Sequence, residues 1–412
     1  MVQPPSAAFA QPPRSPQWNW PYWPIVPLYP YGQRRTLCRE LIPDSLWVLE
    51  QIQGIFYVTV PIRMTVVRLQ KGGLLVYAPV APTPECVGLM RGLEQRHGTV
   101  RHIILPTVTG IEHKVFVGPF ARRFPQATVF VAANQWSFPL DLPLPWLGLP
   151  WRRTQILPTD SSAAPFGDEF DYASLGPLSL GLGPFEEVAF FHRSTRTLLL
   201  TDTIIGIDPD PPAVVQLNPF PLLFHGRDHA LDSVTDSPEV RRKGWQRICL
   251  FGLYFRPSAL TVTGWVQSFQ DAAQGRDRSR ANYFGLFPVQ WGEEWQQSFA
   301  ALRGEGRLLV APILQTLILS RDPQSTLAWA DRVSRWPLQR IVPCHFSAPL
   351  AATPQQFRAA FTFLEQDTRF KGGWAGWRRR SLPEADLQVL RRFSQILDDT
   401  GLAPPAQTRS VQ

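Results

Sequence analysis

The pattern between Leu46 and Ala132 constrains the fold more than any other feature. Leu46–Phe56 and Tyr57–Leu69 are rich in β-branched and aromatic residues, Lys71-Gly72-Gly73 marks a turn, and Leu74–Tyr77 is a further strand. This predicts an antiparallel opening. Thr83 followed by Pro84 then has the form of an N-cap with proline at the first helical position. Val87, Met90 and Leu93 fall on one helix face, and Gly98 stops the helix. Val100–Leu105 reads as a buried strand. A loop to His113, a short helix over Pro119–Phe124 and a strand over Thr128–Ala132 follow. Strands alternating with helices predict an α/β protein.

A second half repeats the alternation. Val188–His192 and Thr197–Thr201 read as a hairpin around Arg193-Ser194-Thr195-Arg196. Residues 203–245 are mixed and proline-rich, and an irregular insertion is expected over about 203–290. Trp291–Leu302, Ser325–Trp336, Gln355–Leu364 and Leu382–Leu397 have helical spacing; Leu308–Ala311 is strand-like, and Arg340–Cys344 is a strand ending at His345. Residues 1–40 form a Pro/Trp-rich leader. It is either an extended tail or an aromatic strap, because Trp18, Trp20, Tyr22 and Trp23 are costly to leave in water. The main domain is expected over 41–365, and 366–412 holds a basic, aromatic segment and a last helix.

Composition excludes several classes. With 44% hydrophobic and 18% charged residues in 412, global disorder is not expected. Cys38, Cys86, Cys249 and Cys344 are far apart, so no disulfide framework is expected. Neither a run long enough to span a membrane nor a secretory signal is seen, which predicts a soluble, cytoplasmic chain. Dinucleotide-binding glycine fingerprints, Walker A loops and Ser-centred nucleophile elbows are absent.

Chemistry-bearing residues gather where strands end. Glu112 and His113 follow the strand 100–105, Asp202 closes Thr197–Thr201, and His345 closes Arg340–Cys344. Loop ends held by a sheet are favoured catalytic positions. Two imidazoles and two carboxylates suit one divalent ion such as zinc, iron or manganese. Taken singly, each has a structural alternative: a helix cap for His113, backbone hydrogen bonds for Glu112, a turn for Asp202, a buried imidazole for His345.

This order of residues resembles the metallo-β-lactamase superfamily, whose motif HxHxDH is followed by a distant His, a bridging Asp and a final His. The strings PVAPTPEC, LPTVTGIEHKVFVGPFARRFP and FFHRSTRTLLLTD are similar to an uncharacterised domain family of that superfamily, found mainly in cyanobacteria and plants. The resemblance covers roughly residues 46–350. It implies an αβ/βα sandwich of two mixed sheets flanked by helices. It also implies that Glu112, in place of Asp, with His113, Asp202 and His345 forms one metal site. The other site is dismantled, because Val108, Gly110 and the region of Gly183 stand where its three imidazoles belong. The implied activity is metal-assisted hydrolysis of an unknown small molecule, with Glu112 as ligand or general base. The alternative is a binding or assembly module that kept the fold.

Other features have plainer readings. His192 sits at a hairpin tip, and a structural role is expected. His225 and His229 are four apart but straddle Gly226, which predicts a surface loop. Cys344 and His345 point to opposite faces of a strand. Cys86, in the first turn of a helix, is either a favoured thiolate or a buried thiol. Arg276-Asp277-Arg278-Ser279-Arg280 and the segment 370–380 are basic in a chain of net charge +8, which keeps nucleic acid as a third possible partner.

Overall fold

The computed structural model describes residues 14–108, 112–136, 142–180, 183–275, 277–365 and 382–403. The first sheet is built from β1 (Leu37–Ile42), β2 (Leu46–Ile55), β3 (Val58–Arg68), β4 (Leu74–Tyr77), β5 (Val100–Leu105), β6 (Thr128–Val131) and β7 (Thr154–Ile156), lying side by side in chain order. β1 to β4 pair antiparallel, and β4 to β7 pair parallel. The β4–β5 and β5–β6 crossovers use α1 (Pro84–His97) and α2 (Lys114–Arg123). Thr83 caps α1 by accepting from the Cys86 amide, and Gly98, at φ +91°, ends it.

The second sheet has the order β14-β13-β10-β9-β8. It is formed by β8 (Phe170–Ser179), β9 (Pro184–His192), β10 (Thr197–Leu200), β13 (Arg340–Pro343) and β14 (Leu350–Ala351). β10 and β13 run parallel, and the other pairs are antiparallel. Between β10 and β13 come α3 (Ala213–Gln216), α4 (Phe220–His225), α5 (Pro238–Tyr254), a ribbon of β11 (Leu260–Val262) and β12 (Val289–Trp291), α6 (Trp265–Gln274), α7 (Trp295–Arg303), α8 (Pro312–Leu317) and α9 (Pro323–Val333). After β14 come α10 (Pro354–Ala359) and α11 (Glu384–Asp399).

Three apolar clusters define the layers. Leu46, Val48, Tyr77, Ile104 and Phe130 of the first sheet meet Phe170, Phe190, Leu199 and Val342 of the second. Trp47, Leu49, Val76 and Leu105 face the other way, onto Met90, Leu93, Phe116 and Phe120 of α1 and α2. Leu198, Leu200 and Ile341 face outward onto Trp245, Ile248, Leu253 and Trp329 of the second helical layer. Leu199 points inward while its neighbours Leu198 and Leu200 point outward. This is the period-two alternation of a strand covered on both faces. The result is an αβ/βα sandwich, two mixed sheets face to face with helices on both outer sides. Among the described residues no helix is long and apolar enough to cross a membrane.

Several sequence expectations change. The helix expected at Pro119–Phe124 starts at Lys114, with Pro119 inside it. The stretch expected to be irregular carries α3 to α6, and in α5 Ser237 and Pro238 form a capped start. Trp291 lies in β12 rather than in α7, because it pairs with Leu260. His225 is not on a surface loop. It ends α4 as a buried ring, while His229 is exposed. Residues 14–36 take the strap form: the Trp18 indole donates to Glu85 at 3.1 Å, and Trp20 is buried edge-on against Phe116 at 5.3 Å. Residues 1–13 lie outside the described part of the leader.

Candidate metal centre

The site lies where parallel strands of both sheets end. β5 leads into Glu112 and His113, the latter in the cap position of α2. β10 ends two residues before Asp202, and β13 ends two residues before His345. Because β10 and β13 are parallel neighbours, Asp202 and His345 emerge side by side. The loop after β5 is tied to β9 by Val188 N–H donating to Pro106 at 2.7 Å and Val108 N–H donating to Glu186 at 3.2 Å. That docking brings Glu112 across to the other two.

His345 Nε2 is 2.9 Å from Glu112 Oε2 and 3.3 Å from Asp202 Oδ1. One potential ligand atom from each of these three residues lies within 4.8 Å of the others. The carboxylates are each about one-third open, at 35% and 31% side-chain exposure, whereas His345 is nearly closed off. His113 lies outside that tight group, with its ring centroid 6.2 Å from that of His345.

Both imidazoles are oriented from behind. His345 Nδ1 lies 3.0 Å from the Pro61 carbonyl, and His113 Nδ1 lies 3.1 Å from the Pro79 carbonyl. A carbonyl only accepts, so each Nδ1 carries a proton and donates it, and Nε2 faces the site. His113 Nε2 is buried with no hydrogen-bond partner among the described residues. Left-handed residues stand beside both rings. Ala78, at φ +54°, turns the chain so that Pro79 meets His113, and Phe346, at φ +56°, follows His345. Each costs about 1–2 kcal/mol for a non-glycine residue.

Electrostatics follow from the geometry. Burial opposes ionisation of Glu112, but His345 outweighs it and brings the carboxyl down to about 2. Burial likewise opposes a charged His345, yet Glu112 and Asp202 hold its pKa well above the ordinary value. The His113 pKa is lowered, by burial first and then by His345.

Three positioning groups have no signature in the sequence. Arg63 of β3 is buried and donates to the carbonyls of Pro343 and Phe346, which bracket His345, and to Glu50 at 2.7 Å. Glu50 lies directly opposite Arg63 on β2 and also takes Arg39 through two bonds of 2.8 and 3.0 Å. Burial pushes the Glu50 carboxyl up, but Arg63 and Arg39 outweigh it and hold it below its usual range. Glu187 of β9 accepts from the backbone amides of Thr201, Asp202 and Thr203 at 2.7, 3.2 and 2.9 Å, which fixes the Asp202 turn. Burial and the nearby Asp202 raise its pKa to about 7.

The remaining candidates are structural. Val108, where the resemblance expects a first imidazole, is buried in the inter-sheet core, and Gly110 lies outside the described residues. Gly183, at φ +140°, has the Trp136 ring where a side chain would begin. His192 lies 2.8 Å from the Thr195 hydroxyl and stacks on Phe170. Cys86 and Cys344 are buried thiols whose pKa burial raises. The segment 370–380 lies outside the described residues.

No curated protein matches the chain. Among solved structures, it is similar to a metal-soaked flavodiiron core from Synechocystis sp. (11% identity, TM-score 0.39, covering 80% of this chain) and a flavo di-iron protein variant from Thermotoga maritima (9%, 0.41, 82%). The chain spans 61% and 64% of the lengths of those two. A metallo-β-lactamase from Pontibacter korlensis is covered over its full length by 81% of this chain, at 12% identity and a TM-score of 0.33. Residues 43–363 match the model of a domain of unknown function, DUF4336, and the chain belongs to that family.

Proposed function

We propose that the protein is an intracellular hydrolase of a small molecule that works with a single divalent metal ion held by Glu112, His113, Asp202 and His345. The observation that carries this reading is the buried, unpartnered Nε2 of His113 beside the cluster. A buried nitrogen without a partner costs about 1–3 kcal/mol, which coordination would offset. Zinc, iron and manganese all suit this donor set. When bound, the ion supplies Lewis acidity and a more acidic water.

The chain supplies the rest. The Pro61 and Pro79 carbonyls keep both imidazoles in the tautomer that presents Nε2. Arg63 holds the turn of His345, and Glu187 holds that of Asp202. Glu112 is partly open and ionised, so it serves as ligand or as the base that takes a proton from water.

A binding or assembly module is the second reading. It is favoured by the apolar Val108 at the position of a second ion's ligand, and by the charge balance of His345 with its two carboxylates. Metal analysis of the purified protein, beside a His113→Ala/Asp202→Ala variant, tests the proposal. Stoichiometric metal in the parent and its loss in the variant are expected. Equal metal in both overturns the site. Metal without turnover of phosphoester, ester or thioester panels selects the module.

A further inference from the structure

Helix α6 is packed with its apolar face outward. It buries Ser268 and Ala272, while Trp265, Val266 and Phe269 are 73%, 73% and 59% exposed. At 100° per residue, positions 265, 269, 273 and 266 fall within one 100° arc, the stripe that a surface helix normally turns to the core. The Trp265 and Phe269 rings lie 6.5 Å apart. Val262 of β11 is exposed just before the helix, and Phe284 after it. Phe56, exposed at the β2–β3 tip, touches Tyr283 at 5.8 Å and brings a third element toward the patch.

Charge decides what fits this face. The only acidic or basic side chain on α6 is Asp271, about 240° round from Trp265 by the helical rotation, where it accepts from Gln267 at 2.7 Å. Past the helix, Arg278 donates to the Ala273 carbonyl at the C-terminal end of α6. Arg278 is exposed there, and the Asp277 carboxylate is turned inward onto the Ser279 amide at 2.8 Å. The whole chain is at +8. An acid-free apolar stripe with the exposed Arg278 at its end matches an anionic lipid interface, where aromatic rings enter the headgroup layer and an arginine meets phosphate. A second copy of the chain would bring a second Arg278 to the same rim.

We propose that α6 docks the protein onto an anionic membrane surface. Flotation with vesicles of phosphatidylcholine and phosphatidylglycerol, against pure phosphatidylcholine, tests this with the full chain. Binding to the anionic vesicles is expected, weakened by salt and reduced at least tenfold in Trp265→Ser/Phe269→Ser. That variant removes only exposed side chains and should keep the parent's melting temperature. Arg278→Glu should weaken binding to the anionic vesicles. Trp146→Ser/Trp151→Ser, which alters another exposed aromatic pair, should bind like the parent. The proposal is overturned if the parent fails to float or if the α6 variant floats equally well. It is also overturned if the loss follows Trp146 and Trp151, or if the α6 variant instead changes the protein's mass in solution without lipid.

Discussion

Replacing Arg63 by Met tests whether the turn carrying His345 is held from β3. The guanidinium and the Glu50 carboxylate are both almost fully buried, 2.6 Å apart at closest approach. Removing one partner of a buried pair costs about 3–5 kcal/mol. Arg39 still faces Glu50, which moves the estimate toward the low end, but the Pro343 and Phe346 carbonyls lose their donor, which moves it back. A loss of ~4 kcal/mol is therefore expected. With an unfolding entropy near 2.1 cal/mol/K per residue over 412 residues, that is a drop of about 5 °C in Tm. Glu50→Leu alone should cost a similar amount, because it strands the buried Arg63. The double variant should be less destabilised than the sum by at least ~2 kcal/mol, since an apolar pair replaces an ion pair. Hydrogen exchange gives the local readout. The Cys344 and Ser347 amides, bonded to Leu200 and Gly206, should open faster in Arg63→Met, and those of the Arg193–Arg196 turn should not. Additive single costs, or unchanged exchange at Cys344 and Ser347, would refute the clamp.

Three further outcomes follow from packing and burial. Gly244→Ala places a Cβ 1.8 Å from the Leu222 carbonyl oxygen, where α5 crosses α4, and should cost about 1–3 kcal/mol in chemical denaturation. Gly252→Ala, on the same helix, meets nothing closer than a Val58 methyl at 3.4 Å and should stabilise by about 0.5–1 kcal/mol. Burial lowers the pKa of His192 to about 4 and that of His225 to about 3, so the unfolded chain, titrating near 6.5, takes up protons first. Their contribution is complete above pH 6.5 and erodes as pH falls toward 4, by on the order of 3 kcal/mol for His192. Denaturant titrations between pH 7 and 4.5 should show a shallower acid loss in His192→Gln than in the parent; parallel curves would exclude that ring as a source.

Punctuation made much of the first sheet legible. Lys71-Gly72-Gly73, Thr83-Pro84 and Gly98 bound β4, α1 and β5 where the structure has them, because each residue type answers a local backbone demand. The misplaced elements are those where a local signal was ambiguous. Pro119 suits a first turn, yet it sits within α2. The four-residue spacing of Trp291 and Trp295 imitates a helix, although Trp291 is held by its strand partner Leu260. In α5 the charged run Arg241-Arg242-Lys243 and Gly244 hide the apolar stripe behind a well-formed cap at Ser237.

The same division runs through the site. Glu112, Asp202 and His345 could be found because each closes or follows an apolar strand, and a strand with its end is a local pattern. The groups that aim them are not local. Arg63 and Glu50 matter through a β2–β3 register that places them opposite one another, and through a turn about 280 residues further along the chain. Pro61 and Pro79 contribute backbone carbonyls, which any residue type could supply, so their side chains mark nothing. Glu187 looks like one charge in a hydrophobic strand until the Thr201–Thr203 amides close on it. A ligand set is thus a property of residue type at strand ends, whereas its orientation belongs to the packed sheets. Loss of Arg63 should therefore perturb the site while every candidate ligand named from the sequence is still in place.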